Sequence, residues 1–175
     1  MDLGKRILIM GSSCSGKSAI ATSLSDLLGF PVVHLDKISV TYLKSGVYSG
    51  AWDMMNEEIC IAANQPMWII DGNFSATRDY RLERADTIIY LDFNRYICLL
   101  RLFIRRIKNF KQPQYIKNGC PEKLSIGMIK KIWSYPRESR DEMIMWLSKI
   151  NPSKKVYCLN GNKAVKKFLN EVQQK

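Results

Sequence analysis

Eight residues near the amino end, Gly11, Ser12, Ser13, Cys14, Ser15, Gly16, Lys17 and Ser18, fit the spacing G-x-x-x-x-G-K-[ST] in full. The chemistry this spacing serves is the cradling of a polyphosphate. Glycine lets the backbone turn until successive N–H groups face inward, toward phosphate oxygens. A helix starting near Lys17 adds its positive dipole end. Lys17 should reach the outer phosphates, and the Ser18 hydroxyl should ligate Mg²⁺. A glycine-serine loop that merely turns the chain is the bland alternative. The match, however, falls between an apolar burst, Ile7–Met10, and an apolar periodic segment, where chance rarely puts it. Cys14 reads as a passive loop position, with a thiol of lowered pKa as the alternative.

Three acids follow apolar bursts: Asp36 after Pro31–Leu35, Asp71 after Met67–Ile70 and Asp92 after Thr87–Leu91. Ligands of open α/β sheets sit beyond the carboxyl ends of strands, so these carboxylates are placed to act. Asp71, followed by Gly72 and Asn73, is the choice to hold the Mg²⁺ shell opposite Ser18. Asp36 is the candidate to orient or deprotonate an acceptor hydroxyl. Each of the three also suits a turn or helix N-cap, Asp92 most of all. His34, the one histidine, reads as a satisfied strand residue rather than a catalyst.

Phosphoryl transfer leaves charge on equatorial oxygens, which proteins counter with arginine or lysine. Arg101 and Arg105 are four apart and share a helix face. From Arg101 to Lys131 nine bases stand against one acid, Glu122. Three readings stand: a solvated basic face, an element closing over a nucleotide, or a nucleic-acid groove with Phe110 and Tyr115 as stacking platforms. Arg78, Arg81 and Arg84 read as a surface helix pairing with Asp79 and Glu83.

Strands and helices must position these groups. Arg6–Met10, Pro31–Leu35, Met67–Ile70, Thr87–Leu91 and Lys155–Leu159 read as five short strands. They are apolar runs, as strands buried on both faces of a parallel sheet are. Helical patterns cover Lys17–Leu28, Ala51–Ala63, Arg95–Ile107 and Lys163–Val172, with two more inside Lys123–Trp133 and Glu138–Ile150. The alternation predicts a doubly wound α/β sheet. Lys37–Gly50 and Asn109–Pro121 are the least regular stretches, and loops of that length are usually functional or mobile.

At 175 residues the chain fits a single domain, 1–175, with a lid or insert at about 109–122. The hydrophobic fraction of 46% and the charged fraction of 25% are those of an ordinary globular protein. The 27 Lys and Arg against 16 Asp and Glu give +11, a surface suited to anionic ligands or simply a basic one. Cys14, Cys60, Cys98, Cys120 and Cys158 are scattered, with no CxxC. That suggests neither a zinc site nor a disulfide framework and fits reduced thiols in a cytosol. The Ile7–Met10 run is too short for a secretion signal, and no run approaches a membrane span. The expected location is cytoplasmic.

The phosphate loop is followed in order by "HLD", "WIIDGNF", "RLERADTIIYLD", "CLLRLFIRR", "GCPEKL" and "IWSYPRESR". This ordered set, from Ile7 to about Leu169, resembles the bacterial DNA topology modulation protein family, a P-loop group related to adenylate kinase. The resemblance implies a P-loop NTPase with an adenylate-kinase-like three-layer α/β/α fold, a five-stranded parallel sheet and a small helical lid. It implies ATP in the loop, Asp71 where nucleotide kinases carry a strand-end Asp-Gly pair, and Arg101 and Arg105 where their lid begins. Nucleotide kinases continue Asp-Gly with Phe-Pro-Arg; here Asn73 and Phe74 follow, the next arginine is Arg78, and Arg81 matches the family better.

The reading is a small kinase that transfers the γ-phosphoryl group of ATP. ATP·Mg²⁺ binds at Gly11–Ser18, and a nucleoside- or nucleotide-type acceptor, not identified further, enters between Lys37–Gly50 and Asp71. Lys17, Arg101 and Arg105 stabilise the group in flight while a closing lid expels water. Asn160–Asn162 is placed near the adenine by analogy. Trp52 and Trp68 are candidates for the acceptor pocket, with core filling the better reading of Trp68. The alternatives are a nucleic-acid-binding, topology-modulating regulator that uses ATP as a switch, and a simple ATPase. No membrane partner is expected.

Overall fold

Each apolar burst becomes a strand in the computed structural model, which describes residues 1–44, 50–111 and 126–174. The strands are β1 (Arg6–Gly11), β2 (Val32–His34), β3 (Trp68–Asp71), β4 (Thr87–Leu91) and β5 (Lys155–Leu159). They form one sheet in the order β2-β3-β1-β4-β5, with every neighbouring pair parallel. The helices are α1 (Lys17–Leu28), α2 (Leu35–Lys44), α3 (Ala51–Ala63), α4 (Arg78–Arg84), α5 (Arg95–Lys111), α6 (Ile126–Tyr135), α7 (Asp141–Ser148) and α8 (Gly161–Gln173).

Alternate residues of a strand face opposite sides, and both sides here are covered. Ile7 and Ile9 of β1 enter one core with Leu24 of α1, Leu102 of α5, Ile132 of α6 and Phe168 of α8. Leu8 and Met10 enter the other with Ile38 of α2, Ile59 of α3, Leu82 of α4 and Met143 of α7. This two-sided burial is why the strands read as runs rather than alternations. Each such side chain, taken from water, contributes about 1.5–3 kcal/mol.

The order and type of the elements follow the sequence pattern, with three differences. The Lys37–Gly50 stretch is not irregular throughout, because α2 occupies it as far as Lys44. Leu35, Ile38 and Tyr42, at i, i+3 and i+7, lay its apolar face on the second core. The β-branched and hydroxyl residues of "ISVT" masked that period, since they favour extended chain. Secondly, α5 continues past Ile107 to Lys111. The lid expected at about 109–122 lies, beyond Lys111, outside the described residues. Thirdly, a π-helical turn, Pro136–Arg140, joins α6 to α7. Proline has no N–H for the regular ladder, and its ring crowds the carbonyl four residues back, so the wider turn relieves both. At this turn the chain passes from one face of the sheet to the other, since Ile132 and Met143 lie in different cores.

Candidate active site

The carboxyl ends of the strands carry the candidate groups. β1 ends at Gly11 with φ 142°, where a Cβ would stand 2.6 Å from the Leu91 carbonyl oxygen. Only glycine fits there. Cys14 takes a left-handed φ of 61°, the one non-glycine residue to do so among the described residues. The loop Gly11–Ser18 therefore curls between β1 and α1. Lys17 Nζ folds back over it and donates to the carbonyls of Gly11 (3.1 Å) and Ser12 (2.9 Å). Burial pushes the Lys17 ammonium below its ordinary value, and the charges of Asp36 and Asp71 oppose that shift. The buried Ser15 hydroxyl has no hydrogen-bond partner among the described residues. An inward ammonium and an unsatisfied hydroxyl in one loop fit a polyphosphate, which offers acceptors to both. Ser18 lies in the first turn of α1.

Asp71 closes β3 and is 3% exposed. Its register partner on β2 is His34, and the two meet side by side, His34 Nδ1 to Asp71 Oδ1 at 2.8 Å. With Asp71 ionised, His34 is the donor. His34 is thus satisfied, as the sequence suggested, but its partner is a candidate site residue. The other oxygen of Asp71 has no hydrogen bond among the described residues. No group of three or more His, Cys, Asp or Glu able to hold a metal occurs among the described residues. A Mg²⁺ held by Ser18, Asp71, phosphate oxygens and water is compatible with that sparse donor set, because Mg²⁺ keeps several waters. Asp36 is exposed and stands in the first turn of α2, not on a strand end.

The sequence reading missed what holds this end of the sheet together. Asn73 grips the first residue of the loop twice: Gly11 N–H donates to its Oδ1 (3.0 Å), and its Nδ2 donates to the Gly11 carbonyl (2.7 Å). Arg81, expected on a surface helix, is instead 0% exposed. Its guanidinium donates to Thr77 Oγ1 (3.2 Å), to the Gly72 carbonyl (3.0 Å) and to the Phe74 carbonyl. Burial and the neighbouring Arg78 push its pKa down to about 10, which leaves it charged at neutral pH. It clamps the turn that carries Asp71 and Asn73. Arg78 and Arg84, both half-buried, do pair with Asp79 (3.6 Å) and Glu83 (3.7 Å); Arg78 also reaches Glu142 (3.0 Å), and Arg84 stacks on Tyr80 (3.4 Å). Only the departure from Phe-Pro-Arg pointed at Asn73.

Arg101 and Arg105 project from α5 onto the outer side of the loop. Arg101 donates to the Ser15 carbonyl and to Asn162 Oδ1, and its guanidinium lies 4.3 Å from the centre of the Phe93 ring. Arg105 reaches Cys14 Sγ at 3.4 Å. Between loop, α5 and the start of α8 is a cavity of about 330 Å³, lined by Gly16, Phe93, Arg101, Arg105 and Asn162 among others. The structure thus brings Lys17, Asp36 and Asp71 together on one side of the loop. Arg101 and Arg105 stand on another.

Asp92 is neither the turn residue nor the N-cap that sequence favoured. Asn94 caps α5, accepting from the Tyr96 N–H at 2.9 Å. Asp92 instead receives both arms of Arg140, at 2.8 and 2.7 Å. That bidentate bond holds the Arg140 guanidinium above its ordinary value. Trp68 fills the core, its Nε1 donating to the Ala63 carbonyl at 3.1 Å. Trp52 is 59% exposed and stacks on Phe74 with ring centres 5.8 Å apart, beside the Asp71 turn.

Comparison with known proteins bears on this arrangement. The isopentenyl transferase family matches residues 4–76, a stretch holding the phosphate loop, Asp36 and Asp71. No curated protein matches the chain. Among solved structures, a gluconokinase from Sinorhizobium meliloti superposes with a TM-score of 0.57 at 12% identity, over 99% of this chain and 92% of that one. A shikimate kinase from Acinetobacter baumannii, in complex with shikimate, gives 0.57 at 13%, over 98% and 92%. A deoxyadenosine kinase from M. mycoides with bound dCTP gives 0.54 at 14%, over 97% and 99%. At these identities the likeness is one of fold, and the fold is that of P-loop kinases. No helix among the described residues is long and apolar enough to cross a membrane.

Proposed function

We propose that the chain is an ATP-dependent kinase for a small hydroxyl-bearing acceptor of nucleoside or nucleotide type. The observation that carries this is Lys17, held on the loop carbonyls while the charges of Asp36 and Asp71 act on it. A phosphate chain entering the loop takes the ammonium off those carbonyls and accepts from the Ser15 hydroxyl. Ser18 and Asp71 would hold Mg²⁺, which would supply charge neutralisation for the phosphates. His34 orients Asp71. Asp36 takes the proton of the acceptor hydroxyl as its oxygen attacks the γ-phosphorus and the bond to ADP breaks. Lys17 stabilises the charge on the group in flight. The exposed Trp52–Phe74 stack gives the acceptor a flat apolar wall next to Asp71. The 330 Å³ cavity suits the adenine, with Arg101 and Asn162 along its edge and Arg105 toward the phosphates. The ordered strings from the loop to "IWSYPRESR" support placing the chain with the DNA topology modulation proteins. DNA binding itself rests on the basic surplus and on Phe110 and Tyr115 as stacking platforms, all read from sequence, so we assign it no role.

The test is a panel of nucleosides, nucleotides and small alcohols with ATP·Mg²⁺, read as ADP release by the intact chain and by Lys17→Ala. Acceptor-dependent release that Lys17→Ala abolishes is the expected result. Release without any acceptor makes the protein an ATPase, and no release under any condition overturns the reading. The family match over residues 4–76 favours a second reading, transfer of an isopentenyl group. Consumption of an isopentenyl diphosphate in place of ATP would establish it.

A further inference from the structure

We propose that a second cavity, at the carboxyl ends of β4 and β5, is a binding site for a small organic phosphomonoester, with Arg95 and Arg137 taking the phosphate. The cavity measures about 510 Å³, within the range of small-molecule sites. Asp92, Phe93 and Asn94 floor it after β4, Asn160 borders it after β5, and the π-helical turn forms its far wall. None of Gly11–Ser18, Asp36 or Asp71 lines it. It shares Phe93 with the 330 Å³ cavity but no residue of the triphosphate cradle, and the proposal stands whether or not the kinase reading does.

Charge and shape decide the ligand class. Three arginines, Arg95, Arg137 and Arg140, face one carboxylate, Asp92. Asp92 is committed to Arg140 through both oxygens. Arg95 and Arg137 have no carboxylate partner among the described residues. Arg95 is held instead over the ring of Trp133, 4.2 Å from its centre, so its fork is oriented without being neutralised. Two oriented or accessible guanidiniums with no counter-ion suit a dianion, and planar forks pair best with phosphate oxygens. The π-helical turn matters here. Such turns recur at functional sites, and this one puts both Arg137 and Arg140 on the cavity. The remaining wall is aromatic, from Tyr96 and Tyr135 with Pro136, and it gives the organic part of the ester a flat surface.

The test is calorimetric titration of the full chain with phenyl phosphate, with benzoate as the carboxylate control. Saturable binding of phenyl phosphate is expected, with benzoate at least about tenfold weaker because it carries one charge rather than two. Arg137 is exposed, so Arg137→Gln should keep the fold while weakening phenyl phosphate about tenfold, the loss of one charge-assisted pair. Arg95→Gln should do the same, with the thermal midpoint measured alongside. Lys17→Ala should leave the affinity within about twofold, since it touches only the cradle. Loss of binding in Lys17→Ala with none in Arg137→Gln assigns the phosphate to the cradle and overturns the proposal. So does benzoate binding as tight as phenyl phosphate, or no binding at all.

Discussion

Replacing Asn73 by alanine removes both hydrogen bonds that fasten Gly11, and the cost divides unequally between them. Gly11 is buried, and its N–H has Asn73 Oδ1 as its side-chain partner at 3.0 Å. Losing that acceptor leaves a buried donor unsatisfied, which costs about 1–3 kcal/mol. The Gly11 carbonyl is better placed, because Lys17 Nζ still donates to it at 3.1 Å. Its loss of Asn73 Nδ2 therefore costs only about 0.5–1.5 kcal/mol. The sum is about 3 kcal/mol, or a fall of roughly 6–12 °C in midpoint for a chain of this size. Urea unfolding of the intact protein and of Asn73→Ala measures it, with a shifted midpoint and an unchanged slope as the expected pattern. Nucleotide affinity, measured well below the midpoint, should fall by about tenfold, since the amides of the cradle then have to be ordered by the ligand. A stability loss under about 1 kcal/mol would mean that water replaces Asn73, and the argument that this side chain fixes the loop would fail.

Arg81→Met keeps most of the buried volume but strips the guanidinium from Thr77, Gly72 and Phe74. The expected loss is about 3–5 kcal/mol, as for other broken buried polar networks, again by urea unfolding. For Lys17 the sign follows from its depressed value: the ammonium binds phosphate, so affinity holds at lower pH and falls as pH rises through a midpoint below 10.5. Titrating ATP across alkaline pH should show this limb in the intact protein and not in Lys17→Ala. A profile with the same limb in both would remove Lys17 from the cradle.

The features legible in the sequence were those with a local signature. A strand buried on both faces is a run of apolar residues, so the five strands stood out, and β4 and β5 kept their expected ends. The phosphate loop carries its spacing within eight residues. Where local preference and tertiary packing disagreed, packing prevailed: the extended-favouring "ISVT" of α2 is helical because Leu35 and Ile38 find the second core. Polar contacts between distant residues left no such trace. Asn73 and Gly11 are 62 positions apart, and Asp92 and Arg140 are 48 apart. Nothing periodic marks either pair. The alternating charges in "RDYRLER" look like a solvated face, whereas the chain folds four carbonyl and hydroxyl acceptors around the Arg81 side chain.

The central position of β1 has a consequence for biogenesis. Of the five strands this one is translated before the others, yet its two neighbours in the sheet are Trp68–Asp71 and Thr87–Leu91. The greasy segment Ile7–Met10 therefore has nothing to pair with until about sixty further residues have been translated, and is flanked on both sides only after about eighty. Throughout that interval it is a sticky nascent segment, of the sort to which holding chaperones attach and from which inclusion bodies start. A nascent chain halted before Leu91 can have no phosphate grip, because the strand that launches the loop is not yet flanked on both sides.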